Sequence, residues 1–361
     1  MPTVTATNLD QLATSIFCAY GVDNAESQLV AAHLVDASLA GHDSHGVMRI
    51  VQYVQDIETG SIVPGAKIHC LDEWASGAVL DAKGLFGQVA CHDAMQIAID
   101  KARDTSIAAV TLRHSNHSGR LGTYVEMAAK AGMIGLVTAN GGGAGQWVAP
   151  FGGCERRLST NPLTFGAPSG KEFPIVVDIS TSIAPEGKVR HYLKAGKLLP
   201  DGWLVDADGS PTNDPNQLYA NPAGAILPLG GSSGHKGFGL AMMVDVLSGA
   251  LSAAGCPRPG DFDPAHGSGL FMLAIDIGRF GAPADFAQQI SDMTDYVKSS
   301  KPANGFDRVL VPGEFEHEQR QSHRQNGIDL PEQTWQEICL IVKQLNHKHE
   351  NTTIRLPPLE N

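Results

Sequence analysis

The periodicity of this chain changes once, near Gly60, and that change sets the fold class. Before it, apolar residues recur at helical spacing in three runs, and Gly21, Gly41 and Gly60 stand where helices stop. Asn8 and Asn24 are placed to cap the first two helices, and Ser44 to cap a third from about Val47 to Gly60. After Gly60, short β-branched runs alternate with longer amphipathic ones. Strands are expected at Ala66–Cys70, Ala78–Asp81, Ile107–Leu112, Ile134–Ala139 and Ile175–Asp178, with helices at Gln88–Arg103 and Leu121–Ala131. Such alternation requires an α/β core.

Residues 184–228 are rich in Gly, Pro, Asp and Asn and predict an excursion with little regular structure. An apolar helix over Gly237–Gly255 follows, then a strand at Leu270–Ile277, a helix near Ala284–Ser299 and a strand at Arg308–Val311. Two closing helices, about Phe315–Gln325 and Pro331–His347, are expected to return to the N-terminal ones. The resulting division is a helical segment at 1–75 packed with 313–347, an α/β core at 76–312, and a polar, disordered tail at 348–361.

Composition excludes several classes of function. The net charge of −12 supplies no basic footprint for nucleic acid or an anionic membrane. The apolar run at 237–255 is broken by Asp245 and rich in Gly, Ala and Ser, which suits an interior helix rather than a membrane span. The first residues carry no basic or apolar leader pattern, and the six cysteines are scattered without a CxxC, so reduced thiols and a cytoplasmic location are expected.

Chemistry concentrates in two similar clusters, His42-Asp43-Ser44-His45-Gly46 and His114-Ser115-Asn116-His117-Ser118-Gly119. Imidazole is the side chain best matched to proton transfer near neutral pH. Arg49 follows the first cluster by one helical turn, and its guanidinium is the natural fork for a carboxylate. A proton donor beside such a clamp points to a small carboxylic acid. The rival reading is a metal site, because both pairs have H-x-x-H spacing and His42, His45, His114 and His117 could ligate together. No motif position supplies a carboxylate, so no metal is expected. Neither a G-x-G-x-x-G fingerprint nor a P-loop is present; Gly141–Gln146 fails at its last position. Gly234-His235-Lys236-Gly237 opens the apolar helix, where backbone amides favour an anion.

Read together, Gly41–Gly46 with Arg49, Ser115–Arg120, Pro150–Gly153, Thr160–Pro162, Asp178–Ser182, Ala184–Lys188, His235–Gly237 and Pro312–Glu314 make the chain resemble the type-2 malate/L-lactate dehydrogenases, the sulfolactate-dehydrogenase-like family. Ala40–Asp43, Phe86–Ala90 and Phe280–Pro283 are most similar to its hydroxycarboxylate dehydrogenases. The resemblance implies an oxidoreductase that uses NAD or NADP to interconvert 2-hydroxy and 2-oxo acids. It also implies a non-Rossmann α/β fold with a mixed sheet, and a homodimer.

In that family the His matching His45 transfers the proton and the Ser matching Ser44 supports it. Arg49, Thr160, Glu186 and Gly187 fall at substrate positions. His117, Ser118, Gly119, Arg120 and Leu121 match a cofactor stretch between a strand and a helix, where amides can hold a pyrophosphate. Val176, Val177, Asp178, Ile179 and Ser180 match another, and His235, Phe315, Glu316, His317 and Glu318 match further contacts. Lys188 stands where the imine-reducing branch has Asp. A cation there suits a carboxylate or a developing alkoxide, which leaves reduction of cyclic imines such as piperideine-2-carboxylate as the alternative.

Overall fold

The computed structural model describes residues 1–260, 267–348 and 353–360. Two layers of different origin meet at the site. The helical layer is built from α1 (Ala6–Ala19), α2 (Asn24–Leu39) and α3 (Arg49–Glu58), joined from the far end of the chain by α10 (Glu332–Lys348). Leu9, Ile16, Phe17, Leu34, Ile50 and Tyr53 pack with Trp335, Ile338 and Leu345 in one apolar core. A short ladder closes the layer, with β1 (Thr3–Val4) antiparallel to β12 (Ile328–Asp329). The caps differ from the sequence reading. Thr5 rather than Asn8 caps α1, and Asp23 rather than Asn24 caps α2. Ser44 caps nothing; it lies in a tight 3-10 turn, Asp43–His45, ahead of α3.

The α/β layer is a seven-stranded mixed sheet in the order β2-β3-β4-β11-β5-β6-β7. Its strands are β2 (His69–Trp74), β3 (Gly77–Asp81), β4 (Ile107–Ser115), β5 (Met133–Asn140), β6 (Leu163–Ala167), β7 (Ile175–Ile179) and β11 (Ser268–Asp276). The one parallel pair in the sheet, β3 with β4, is joined by the long helix α4 (Gly87–Thr105), as a parallel crossover requires. Together α4 and α5 (Gly122–Lys130) cover one face, burying Met95, Ile99, Tyr124 and Val125 on Leu80, Val110, Val137 and Met272. The first strand of this sheet, β2, lies three to four residues beyond the strand expected at Ala66–Cys70, within the segment grouped with the helical layer.

Strand β6 is not among the expected strands, and its Gly166 is a weak strand residue. Gly166 is there for packing: a Cβ on it would lie 2.7 Å from Val125 on α5. The expected strand at Arg308–Val311 is absent, because the Val311 amide donates to the Glu314 carboxylate instead of a neighbouring strand.

The excursion is more ordered than its composition suggests. It contains α6 (Glu186–Lys194) and a small sheet of β8 (Leu204–Val205), β9 (Pro211–Thr212) and β10 (Ala225–Ile226). The apolar helix divides into α7 (His235–Val244) and a π-helical stretch over Asp245–Leu251. That wider turn holds the buried Asp245 carboxylate against the Asn140 and Asn161 amides, at 2.9 and 2.7 Å. Helices α8 (Pro283–Lys298) and α9 (Glu314–Asn326) complete the chain. Residues 353–360 are not loose: Ile354 is buried and both its backbone groups bond Asn346, so the disordered-tail reading fails for them. Positions 349–352 and 361 of that tail lie outside the described residues. Among the described residues no helix is long and apolar enough to cross a membrane.

Candidate active site

A cavity of about 460 Å³ opens where the two layers meet. The helical layer contributes His42, Ser44, His45 and Arg49. The α/β layer contributes His117, Ser118, Gly119 and Leu121 from the β4–α5 connection, Thr160, and Asp178, Ile179 and Ser180 from the end of β7. Glu186 and Gly187, at the start of α6, close the third side. Residues far apart in sequence thus converge on one space, as a small-ligand site requires.

The two histidine clusters meet ring to ring. His45 and His117 stack with centroids 5.2 Å apart and planes 9° apart. Nδ1 of His45 lies 3.2 Å from Nε2 of His117, and the Tyr53 hydroxyl lies 2.7 Å from Nδ1 of His117. Gln88 donates its side-chain amide to the Tyr53 oxygen. Tyr53 follows Arg49 by one turn of α3, so both point the same way. Gly87 permits the approach of α4: a Cβ there would sit 2.3 Å from the His117 carbonyl oxygen.

Burial, reinforced by the nearby Arg49 charge, lowers the His45 pKa to about 4, while Asp178 works in the opposite direction. Burial likewise holds His117 well below its ordinary value. Both rings are therefore neutral at neutral pH. The Arg49 guanidinium is half-buried; its Nε donates to the Ser44 carbonyl at 2.6 Å and its Nη1 to Gln52. These bonds orient the fork toward the cavity.

The loop from His117 to Leu121 is fixed from behind. His33, fully buried on α2, accepts the Arg120 amide at 3.0 Å, and burial lowers its pKa to about 3. A Cβ on Gly119 would lie 2.2 Å from that ring, and Gly119 has φ +71°. The Gly122 amide, which opens α5, is occupied by the Asp178 carboxylate at 2.7 Å, and Asp178 also accepts from Thr164. The first free amide of that helix is thus not available to a phosphate, contrary to the simplest reading of the loop.

Several sequence candidates lie elsewhere. Arg120 is 1% exposed and faces Glu126 and Asp36, so it braces the loop from inside. Val176 is part of the α/β core, and neither it nor Val177 lines the cavity. Lys188 turns its ammonium over the Trp203 ring at 5.3 Å, away from the cavity lining. His235 packs edge-on against Phe151. On α9, Glu316 accepts from His42 at 3.2 Å and so touches the site indirectly. Phe315 lies near Gly41, His317 packs on Phe173, and Glu318 pairs with Arg308.

The four-histidine metal set is not assembled. His114 bonds Asp81 at 3.0 Å and His42 bonds Glu316, each on its own carboxylate. Among the described residues no group of three or more His, Cys, Asp or Glu is placed to hold a metal. Residues that sequence reasoning passed over are Tyr53, Gln88, Asn140, Trp147 and Ser268. For Tyr53 the usable signal was its spacing from Arg49; Gln88 stood in the Phe86–Ala90 stretch of the family resemblance, with no role attached to it.

A family model described as malate/L-lactate dehydrogenase matches residues 4–339. The malate dehydrogenase of Pyrococcus horikoshii is 38% identical over 331 residues, 90% of either chain. A solved structure of malate dehydrogenase from Pyrococcus horikoshii OT3 aligns with a TM-score of 0.85 at 33% identity, over 95% of both chains. Hydroxycarboxylate dehydrogenase B of Escherichia coli (strain K12) is 34% identical over 348 residues, 96% of this chain and 95% of its own. The architecture also extends to a solved delta1-piperideine-2-carboxylate reductase from Pseudomonas syringae pvar. tomato, with a TM-score of 0.81 at 30% identity over 94% of this chain and 100% of that one.

Proposed function

The chain belongs to the malate/L-lactate dehydrogenase family and is a 2-hydroxyacid dehydrogenase, and from that premise we propose that it uses NAD or NADP, with His45 as the proton-transfer group and Arg49 as the carboxylate clamp. The observation that carries this reading is the pairing of a neutral imidazole with a guanidinium in one cavity, with Nε2 of His45 the ring nitrogen left unpartnered among the described residues. Interconversion of a 2-oxoacid and a 2-hydroxyacid moves a hydride at C2 and a proton on the attached oxygen. Bound nicotinamide would supply or accept the hydride. The donor set fits such a group: His117, Ser118, Gly119 and Leu121 on one wall and Asp178, Ile179 and Ser180 on the other leave a cavity large enough for a ring beside a small acid.

The chain's own residues do the rest. Arg49 holds the carboxylate and so fixes C2 relative to His45. In reduction the His45 ring, carrying a second proton taken up from water, gives its Nε2 proton to the carbonyl oxygen and is left neutral; oxidation is the reverse, the alcohol proton passing to Nε2 and the second proton returning to water. Ser44 and Thr160, both on the cavity wall, supply neutral hydrogen bonds to the oxygens. Asp178 favours the charged form of His45 and steadies it when the ring carries two protons. Glu186 already accepts from Arg190 at 2.8 Å and from the Tyr219 hydroxyl at 2.6 Å, so it shapes the wall rather than the charge balance.

A homodimer is part of the same proposal. Leu240, Met242, Met243, Val246 and Leu251 leave apolar side chains exposed along α7 and the turn after it, a surface that a second copy would remove from water. The six free cysteines support a reducing, cytoplasmic setting. The test is to follow NADH and NADPH oxidation by the purified protein against a panel of 2-oxoacids and one cyclic imino acid. Turnover of an oxoacid is expected. A higher kcat/KM for the imine refutes the substrate class, and no binding of either nucleotide refutes the cofactor.

A further inference from the structure

A buried line of hydrogen-bonding side chains runs behind the cavity and ends on His45. It passes from Gln88 on α4 to Tyr53 on α3, then to His117 in the β4–α5 connection, and reaches Nδ1 of His45. Each junction constrains the next, because a hydroxyl has one hydrogen and a neutral imidazole has one N–H and one lone pair. The Gln88 amide donates to the Tyr53 oxygen, so the tyrosine hydrogen is free to go to Nδ1 of His117 at 2.7 Å. His117 then carries its own hydrogen on Nε2 and donates it to Nδ1 of His45, 3.2 Å away. His45 is left with its hydrogen on Nε2, the nitrogen without a partner among the described residues.

We propose that Gln88 and Tyr53 are positioning residues that, acting through His117, hold His45 in the Nε2–H tautomer. His117 is thereby assigned to orienting the proton-transfer group, not only to contacting a cofactor. Tyr53 and Gln88 are both buried, so water does not compete for these bonds. The direction of the line depends on which end of the Gln88 amide meets Tyr53. As placed, Oε1 is the buried atom without a partner. The opposite orientation would strand the amide N–H hydrogens instead, and an orphaned donor is the rarer condition in folded proteins. A carbonyl oxygen entering the cavity therefore meets a preset N–H rather than a lone pair. This rests on the proposed role of His45 in oxoacid reduction, but the tautomer itself does not.

The direct test reads the wild-type, ligand-free, full-length protein labelled with nitrogen-15 at histidine. Long-range proton–nitrogen spectra near neutral pH show which ring nitrogen of His45 and of His117 bears hydrogen, with assignment from His45→Gln and His117→Asn. Hydrogen on Nε2 of both rings is expected; hydrogen on Nδ1 of either ring overturns the proposal. A second arm uses Tyr53→Phe, with folding checked by its melting temperature. Its kcat should fall about tenfold, the worth of one hydrogen bond near the upper end of its range, with the KM for nicotinamide cofactor unchanged. A Tyr53→Phe variant with full kcat and an unchanged His117 signal, or one in which only cofactor KM rises, also overturns it. If no oxoacid is turned over at all, the function has failed, and the spectra still decide the tautomer.

Discussion

Replacing Arg320 should loosen the joint between the two layers, and the structure sets the size of the effect. Arg320, on α9, donates to both Asp36 oxygens at 2.9 and 2.7 Å and to both Glu126 oxygens at 3.0 Å. Asp36 belongs to α2 in the helical layer and Glu126 to α5 on the sheet. Burial works against the Arg320 charge, yet the two carboxylates outweigh it and raise its pKa. Arg120 completes the group at 2.9 Å from Glu126, so two cations balance two anions. Arg320→Met keeps the packing volume but leaves the buried Glu126 and the half-buried Asp36 carboxylates sharing one guanidinium. Breaking a buried pair from one side costs about 3–5 kcal/mol, most of it from the stranded charge. In a chain of this size that is a fall in Tm of about 4–7 °C by differential scanning calorimetry. Adding Glu126→Gln removes the stranded charge and should recover part of the loss. A single variant that melts within about one degree of wild type, or a double variant worse than the sum of its singles, would refute the reasoning.

Acid should destabilise the protein through His33. Its folded pKa of about 3 lies far below the ordinary value of about 6.5, so stability is complete above pH 6.5 and is lost as pH falls toward 3. That is roughly 2 kcal/mol by pH 5, and His33→Gln, which cannot titrate, should show a shallower fall of Tm across this interval; an equal slope would deny His33 the role. Arg49→Lys should lower kcat/KM for every 2-oxoacid by about tenfold or more, since a point charge replaces a fork, and an unchanged value would remove the clamp. Lys188→Met should leave oxoacid kcat within about threefold of wild type, because the ammonium lies over Trp203; a larger loss in steady-state assays would place Lys188 in the site.

The features legible in sequence were those with local causes. Helices and strands with clear periodicity lie close to where the pattern put them, and the glycine-flanked histidines did converge. What could not be read depended on distant neighbours. Strand β6 is held by its pairing with β5 and β7, and its glycine is there to clear Val125, neither of which anything near Gly166 reveals. The small sheet within 184–228 is held by Trp147 and Val148 from outside the excursion. Lys188 carries a motif position, but a helix start points side chains by packing, and Trp203 took this one. Tyr53 and Gln88 look like ordinary helix residues until α3 and α4 bring them behind His117. The fate of His42 and His114, each on its own carboxylate, was equally invisible, because Glu316 and Asp81 are remote from the motif.

The central claim is that His45 moves the proton, and His45→Gln tests it most directly. Glutamine preserves the size and polarity of the wall but cannot exchange a proton near neutral pH. With the oxoacid that wild type reduces best, kcat should fall by about 10²–10⁴-fold while the dissociation constant for reduced nicotinamide cofactor, measured by fluorescence titration, stays within about twofold. A variant that keeps most of its kcat, or one whose lost activity follows entirely from lost cofactor affinity, would contradict the account.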